Sequence, residues 1–418
     1  MRIAVLCNDT RGGVQPYVAL AQGLRQAGHE VRAVAPSDLA PMFIQLGIPT
    51  AALSGSIEAV LRGSDGVAER GLLATMRFAA TEMPARMQDW TRQTLAACEG
   101  VDLMTGGVGG MVIGLSVAEK LNCPFVQSHL QPVSAPTAAY PGVLMPWTPR
   151  WLGPLAQHLS HHLTEAVVWA PFKRAMAKTR EQVLSLKGRP RTNKSLPVLY
   201  GFSRHILPVP LGTTWQRHVT GYWSLPRQPG WTPPPRLLSF LERPGPVVSV
   251  GFGSMASKDP RAVARLVVGA ARDAGVRVIL LSGWGGLDST DADETSFCTD
   301  EVPHDWLFER VAAVVHHGGA GTTGAAVTAG VPSVVIPFTM DQPFWAQRMA
   351  HLGVSAAPIP RKQLTQKKLA EALLEVITNH GMRQRAAELG RMIRTEDGVQ
   401  KAVAILGRVE QTAAHLVA

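Results

Sequence analysis

An alternation of strand-length apolar runs with helical patterns, begun at residue 2 and begun again near residue 247, most limits what this chain folds into. Arg2 to Cys7 is a continuous apolar run, followed by a glycine-containing loop and Pro16 at an expected helix start. Pro16 to Ala27 carries Val18, Leu20, Ala21 and Leu24 at helical spacing, Gly28 stops the pattern, and Val31 to Ala35 reads as the next strand. The series continues with a helix near Ala68 to Cys98, a strand at Val101 to Met104, a helix from Met111 and a strand at Phe125 to Gln127. Alternation of this kind predicts a parallel sheet with helices on both faces, a doubly wound α/β domain of Rossmann type.

The 418 residues are too many for one ordinary core and suit two such domains. Pro208, Pro210, Pro226, Pro229 and Pro233 to Pro235 break any long helix, so residues 207–236 read as a linker with one short strand. Beyond it the pattern restarts: a strand at Val247 to Val250, a tight loop from Gly251 to Ser254, a helix from Arg261 to Ala274 and a strand at Val276 to Leu281. The expected organisation is therefore 1–206, linker 207–236, a second domain 237–395 and a C-terminal helix from 396 to 418. The two halves share architecture without sharing a sequence repeat.

Hydrophobic residues make up 46% and charged residues 17%, a balance that allows a buried core and excludes a disordered chain. No signal-like start and no apolar window long enough to cross a bilayer is evident, which gives a cytoplasmic expectation. Cys7, Cys98, Cys123 and Cys298 have no CxxC spacing, so they read as reduced thiols. The net charge of +10 is concentrated in 144–194, where nine Lys or Arg face Glu165 and Glu181 and interleave with Trp147, Trp151 and Trp169. That segment is either a solvated basic face or a patch that gathers acceptor or touches the inner face of a membrane. With no recognition motif beside the charge, nucleic acid is not an expected partner.

The stretch from Val311 to Gly324 is the most informative. A buried strand ends near Val315, a loop of small residues follows, and a helix begins. Small residues let backbone N–H groups approach a phosphate, and a helix N-terminus adds partial positive charge there. His317, Thr322 and Thr323 supply side-chain donors beside Gly319, Ala320 and Gly321.

His317-Gly-Gly-Ala-Gly-Thr-Thr323, followed by Ala329 to Pro337 and Asp341-Gln-Pro-Phe-Trp345, closely resembles the donor signature of family 1 glycosyltransferases of the GT-B fold, in the bacterial and sterol glucosyltransferase branch. Val302 to Phe308, Gly251 to Met255 and the opening Arg11 to Pro16 match in order and spacing, so the resemblance spans nearly the whole chain. It implies that Ser254 and His317 contact a diphosphate together with the backbone from Gly319 to Thr322, that main chain near Val302 holds the base, and that Asp341 and Gln342 bond sugar hydroxyls. Gly12 and Gly13 of the opening loop are grouped with the donor-binding residues. The usual ribose-binding glutamate is Ala325 here, which leaves UDP and dTDP sugars both open.

The same resemblance assigns the acceptor to the N-terminal domain and the donor to the second, with the C-terminal helix packing back on the first. Relatives carry Asp or His where this chain has Gly13, and that residue takes the acceptor's proton; Asp9 is the first candidate to replace it and His129 the second. If position 13 were simply vacant, Gly13→Asp would raise turnover. His158 and His162 lack the glutamate of an HExxH motif, and Asp291-Ala-Asp293 reads as a solvated acidic loop, so no metal and no bound cofactor is expected. The expected reaction is inverting transfer of a hexose from a UDP- or dTDP-sugar to a hydroxyl of a hydrophobic sterol, polyketide, phenolic or lipid. A non-catalytic sugar-nucleotide-binding helper and a nucleotide-sugar epimerase are the alternatives.

Overall fold

The computed structural model describes residues 1–64, 66–134, 136–208, 216–228, 230–255, 257–283, 294–300 and 302–417, with the side chains of 150 and 410–417 excepted. Pro210, Pro229 and the acidic loop with Asp291 and Asp293 lie outside the described residues. The chain divides into two compact units: 1–57, 76–225 and 396–418 form the first, and 58–75 with 226–395 the second.

The first unit is built on a seven-stranded parallel sheet in the order β3-β2-β1-β4-β5-β6-β7. Its strands are β1 (Arg2–Leu6), β2 (Glu30–Pro36), β3 (Thr50–Leu53), β4 (Leu103–Gly106), β5 (Phe125–His129), β6 (Val198–Tyr200) and β7 (Arg217–Val219). The longer helices begun in this half are α1 (Arg11–Gln26), α2 (Leu72–Ala97), α3 (Val108–Leu121), α4 (Gly153–Trp169) and α5 (Lys173–Leu184). Ala4, Leu6 and Met104 pack with Trp90 of α2 and with Met111 and Leu115 of α3 in one apolar cluster. Strands buried on both faces need apolar residues at every position, which is why β1 reads as an unbroken run.

The second unit has a five-stranded parallel sheet, ordered β10-β9-β8-β11-β12. It comprises β8 (Val247–Gly251), β9 (Arg277–Leu281), β10 (Ser296–Thr299), β11 (Ala313–His316) and β12 (Ser333–Val335). Around it lie α6 (Pro235–Glu242), α7 (Pro260–Asp273), α8 (Ala320–Ala329), α9 (Gln342–His351), α10 (Gln366–Thr378) and α11 (His380–Arg394). Alternate strand residues serve opposite faces. Val248, Val250, Leu280 and Val315 pack with Val267 of α7 and Leu373 of α10, whereas Val247, Ile279 and Val314 pack with Phe240 and Leu307. Asp259 caps α7 by accepting the Ala262 N–H at 2.9 Å, and Pro260 occupies its first turn.

Three departures from the sequence reading have physical causes. Residues 58–75 join the second unit, because Ala68 packs on its core and the Glu69 carboxylate is held by Arg361 and by the Ser257 hydroxyl, each at 2.8 Å. The expected linker is shorter than 207–236: β7 extends the first sheet and α6 starts at Pro235. Helix α1 starts at Arg11 rather than Pro16, so Gly12 and Gly13 are helical and Pro16 sits inside the helix, where its missing N–H leaves the Gly12 carbonyl without a helical partner.

The last helix, α12 (Gly398–Val417), belongs to the first unit and lies against α1 so closely that a Cβ on Gly23 would fall 2.3 Å from Val399 Cγ1.

Candidate active site

Each sheet reverses its strand order once, between β1 and β4 in the first and between β8 and β11 in the second. In open α/β sheets the loops leaving the strands on either side of such a reversal diverge and leave a crevice at the carboxyl ends. Both predicted clusters stand at these two places.

In the first unit a small pocket is lined by Asn8, Asp9, Tyr17, Gly107 to Gly110 and Gln131, among others. Glycines let α3 approach the end of β1, since a Cβ on Gly109 would meet the Asn8 carbonyl oxygen at 2.0 Å and one on Gly107 the Tyr17 hydroxyl at 2.0 Å. Tyr17 itself donates to the Ser128 carbonyl at 2.5 Å, tying α1 to β5.

Asp9 accepts the Thr10 N–H at 2.6 Å. Its carboxylate fills the space beside Gly13: a Cβ there would lie 2.4 Å from Asp9 Cγ and 2.5 Å from Oδ2. Position 13 is therefore not open space: the Asp9 carboxylate occupies it, so a side chain added at Gly13 would meet Asp9 first. Asp9 is an exposed residue of the loop, and the groups packed around its carboxylate raise it above its ordinary value by desolvation, with the Thr10 N–H offsetting part of the effect.

His129 is placed differently. It is fully buried at the end of β5, with Nε2 3.1 Å from Gln127 Oε1, and burial brings it down to about 3. β5 is buried on both faces, so its ring is enclosed and lacks the reach that proton removal from a bound molecule demands.

In the second unit, β11 ends at His316 and His317 follows it, the first fully buried and the second half-buried. His316 is fully buried and its Nδ1 accepts the Gly318 N–H at 3.1 Å, fixing the turn that follows. His317 stands at the helix entrance, where a Cβ on Gly319 would lie 2.4 Å from its Nε2 and one on Gly253 would lie 3.1 Å from its Cε1. Gly318 and Gly253 also have positive φ, +88° and +58°, so these positions need glycine for backbone as well as for space. Burial, then the nearby His304, lowers His317 to about 4, and its Nδ1 is buried without a hydrogen-bond partner. The imidazole is neutral at pH 7.

Gly319 is the N-cap of α8 with no side-chain cap, and the first helical bond closes only at Thr323 N to Gly319 O, 2.9 Å. The N–H groups of Ala320, Gly321 and Thr322 precede that bond and lie in the half-buried first turn. Ser254 sits half-buried in the turn after β8, directly after Gly253. Val302 buries its side chain in the core beside Trp306, which leaves main chain as what it can offer a ligand.

Asp341 and Gln342 begin α9. Asp341 makes no side-chain cap; its Oδ2 accepts Trp345 Nε1 at 3.0 Å. Gln342 is buried, with Oε1 accepting the Phe338 and Thr339 N–H groups at 2.8 and 3.2 Å and Nε2 3.2 Å from Met255 Sδ. Its amide is already engaged in shaping the turn at Met340, whose φ is +58°.

The architecture matches solved structures closely. The glycosyltransferase SnogD from Streptomyces nogalater aligns with TM-score 0.64 over 98% of this chain and 99% of its own, at 21% identity. The spinosyn rhamnosyltransferase SpnG, solved with spinosyn aglycone, gives 0.67 over 97% and 100% at 18% identity, and VinC, solved with dTDP, gives 0.66 over 99% and 100% at 18%. The chain has the GT-B glycosyltransferase fold.

Along its sequence, this GT-B chain is similar to sterol 3-beta-glucosyltransferases. It is 32% identical over 426 residues to that of Komagataella phaffii and 33% over 426 residues to that of Aspergillus oryzae, matching 97% and 98% of its own length. It spans only 34% and 30% of those two relatives. Residues 294–403, which hold the β11–α8 turn and α9, match the C-terminal domain family of erythromycin biosynthesis protein CIII-like proteins.

Among the described residues no group of three His, Cys, Asp or Glu is placed to hold a metal. His158 and His162 are exposed and stack edge to face, 5.2 Å apart. Burial pushes the Cys98 thiol up to about 12, so that thiol is unreactive near neutrality. The sequence reading gave no separate role to His316, which fixes the turn, and did not single out Asn8 and Tyr17, which line the first unit's pocket.

Proposed function

We propose that the chain transfers a hexosyl group, with inversion, from a UDP- or dTDP-sugar to a hydroxyl on a hydrophobic small molecule such as a sterol, polyketide, phenol or lipid. The observation that carries this reading is the uncapped N-terminus of α8 beside His317, at the switch point of the second sheet. A helix start with open N–H groups and a neutral imidazole takes a diphosphate without a metal. In the reaction the bond from the anomeric carbon to phosphate oxygen breaks, that carbon bonds the acceptor oxygen, and the charge collects on the leaving diphosphate. Ser254, His317 and the backbone from Gly319 to Thr322 hold that charge, main chain at Val302 holds the base, and Asp341 bonds the sugar. Gln342 acts as a positioning residue for that turn.

Asp9 takes the acceptor's proton. Its place beside Gly13 supports this, as does a pKa shift toward the range where a carboxylate is a useful base. Gly12 and Gly13 belong to the first unit with Asp9, which favours a role in shaping the acceptor site over donor binding. On this reading the first unit takes the acceptor and the second the donor, inside the cell.

The deciding experiment incubates the purified protein with UDP-glucose or dTDP-glucose, with and without a panel of hydrophobic alcohols and phenols. Glycosylated product identifies a transferase; nucleotide binding without turnover points to a helper; sugar isomerisation without acceptor points to an epimerase.

A further inference from the structure

Helix α4 presents its chemistry in reverse. Its buried face carries Gln157, Ser160, His161 and Thr164, spaced three and four residues apart. These side chains hold the preceding loop. Ser160 Oγ accepts the Gly142 N–H at 2.7 Å, Thr164 Oγ1 accepts the Leu144 N–H at 3.4 Å, Gln157 Nε2 donates to the Pro149 carbonyl at 3.1 Å, and His161 Nε2 lies 2.9 Å from the Tyr140 carbonyl oxygen.

With polar groups committed inward, the leucines are displaced outward. Leu155, Leu159 and Leu163, one helical turn apart, are 70%, 55% and 51% exposed, and Trp147 and Trp151 just before the helix are 60% and 83% exposed. A surface helix of a globular protein ordinarily has the opposite arrangement. At about 1.5 Å per residue the three leucines form a ridge roughly 12 Å long.

We propose that this face docks on an anionic lipid surface, lying in the interface rather than crossing it. Charge complementarity selects the occupant. Lys173, Arg174 and Lys178 on α5, which begins four residues after α4 ends, with Lys187 and Arg189 after it, are exposed, and the only acidic residues between 144 and 194 are Glu165 and Glu181. Apolar insertion beside a basic run is the combination that binds anionic bilayers. A second copy of the chain meeting this face would leave the basic run without an anionic partner, which a lipid surface supplies. No helix among the described residues is long and apolar enough to cross a membrane.

Binding is read without catalysis, so the result is independent of the proposed transfer reaction. The full chain is floated with vesicles of phosphatidylcholine alone and of equimolar phosphatidylcholine and phosphatidylglycerol. The wild type partitions onto the anionic vesicles at least about tenfold more than onto the neutral ones, and added salt weakens it. Two variants, L155Q/L159Q and K173Q/R174Q/K178Q, each lower that partition by about tenfold or more while keeping circular dichroism and nucleotide binding unchanged. Absence of wild-type partition overturns the proposal, as does partition unchanged in both variants. A wild-type dimer that L155Q/L159Q converts to monomer, without vesicle binding, would assign the face to self-association instead.

Discussion

The turns β1–α1 and β11–α8 occupy equivalent places at the switch points of two similar sheets, yet different chemistry stands at their helix starts. At β1–α1 the chain supplies its own anion: Asp9 lies against the first turn of α1, with Gly13 leaving the room. At β11–α8 it supplies a neutral imidazole and an uncapped helix end, leaving the anion to come from outside. On the proposed reading one scaffold serves as a proton acceptor in one half and an anion receptor in the other, decided by the few residues beyond the strand.

The bracing differs as well, and deletion of α12 exploits this most drastically. α1 leans on Val399 and Val403 of the last helix, α12, whereas α8 leans on α11, where a Cβ on Gly390 would meet Gly330 Cα at 2.6 Å. A chain ending at Arg394 should lose transfer activity and much of its thermal stability while retaining calorimetric binding of UDP or dTDP. Full activity in that chain would show that α1 needs no such support.

Asp9→Asn should lower kcat by about 10² or more with nucleotide affinity preserved. Because the carboxyl is held above its ordinary value, the acid limb of the wild-type rate profile should lie above the usual carboxylate value of about 3.9 and vanish in the variant. A variant as fast as wild type would remove Asp9 from the chemistry. Gly13→Asp should likewise lose activity, since the new side chain collides with Asp9, and should cost about 1 to 3 kcal/mol of stability. Faster turnover on aliphatic alcohols would restore the vacant-site view.

On the other side, His317→Ala should weaken UDP or dTDP binding by about 1 to 3 kcal/mol, read by calorimetry with the fold intact. Smaller per step is the effect of pH on stability. His316 and His317 are lowered to about 3 and about 4 in the folded state, against about 6.5 unfolded. Their contribution is fully present above about pH 6.5 and is lost as pH falls toward the folded values, by about 1.4 kcal/mol per unit for each proton taken up only on unfolding. Denaturant melts at pH 7, 6 and 5 should show the slope, and His316→Gln should reduce it.

The sequence by itself determined the doubly wound class, the two sheets and the glycine-rich turn that precedes α8. Those features rest on local patterns: unbroken apolar runs for doubly buried strands, and small residues with histidine between a strand and a helix. Tertiary structure alone decided the rest. Asp9 precedes α1 and Gly13 lies in its first turn, and only the folded chain shows the carboxylate filling the glycine's space. His129 looked available at a strand end, but the strand is buried on both faces and encloses it. Gln342 looked like a sugar ligand until the backbone of Phe338 and Thr339 claimed its oxygen. Residues 58–75 joined the second unit because Glu69 finds its cation on Arg361, nearly three hundred positions away. Periodicity records which face of an element is apolar; which groups share a space depends on contacts between distant segments, and no local pattern encodes those.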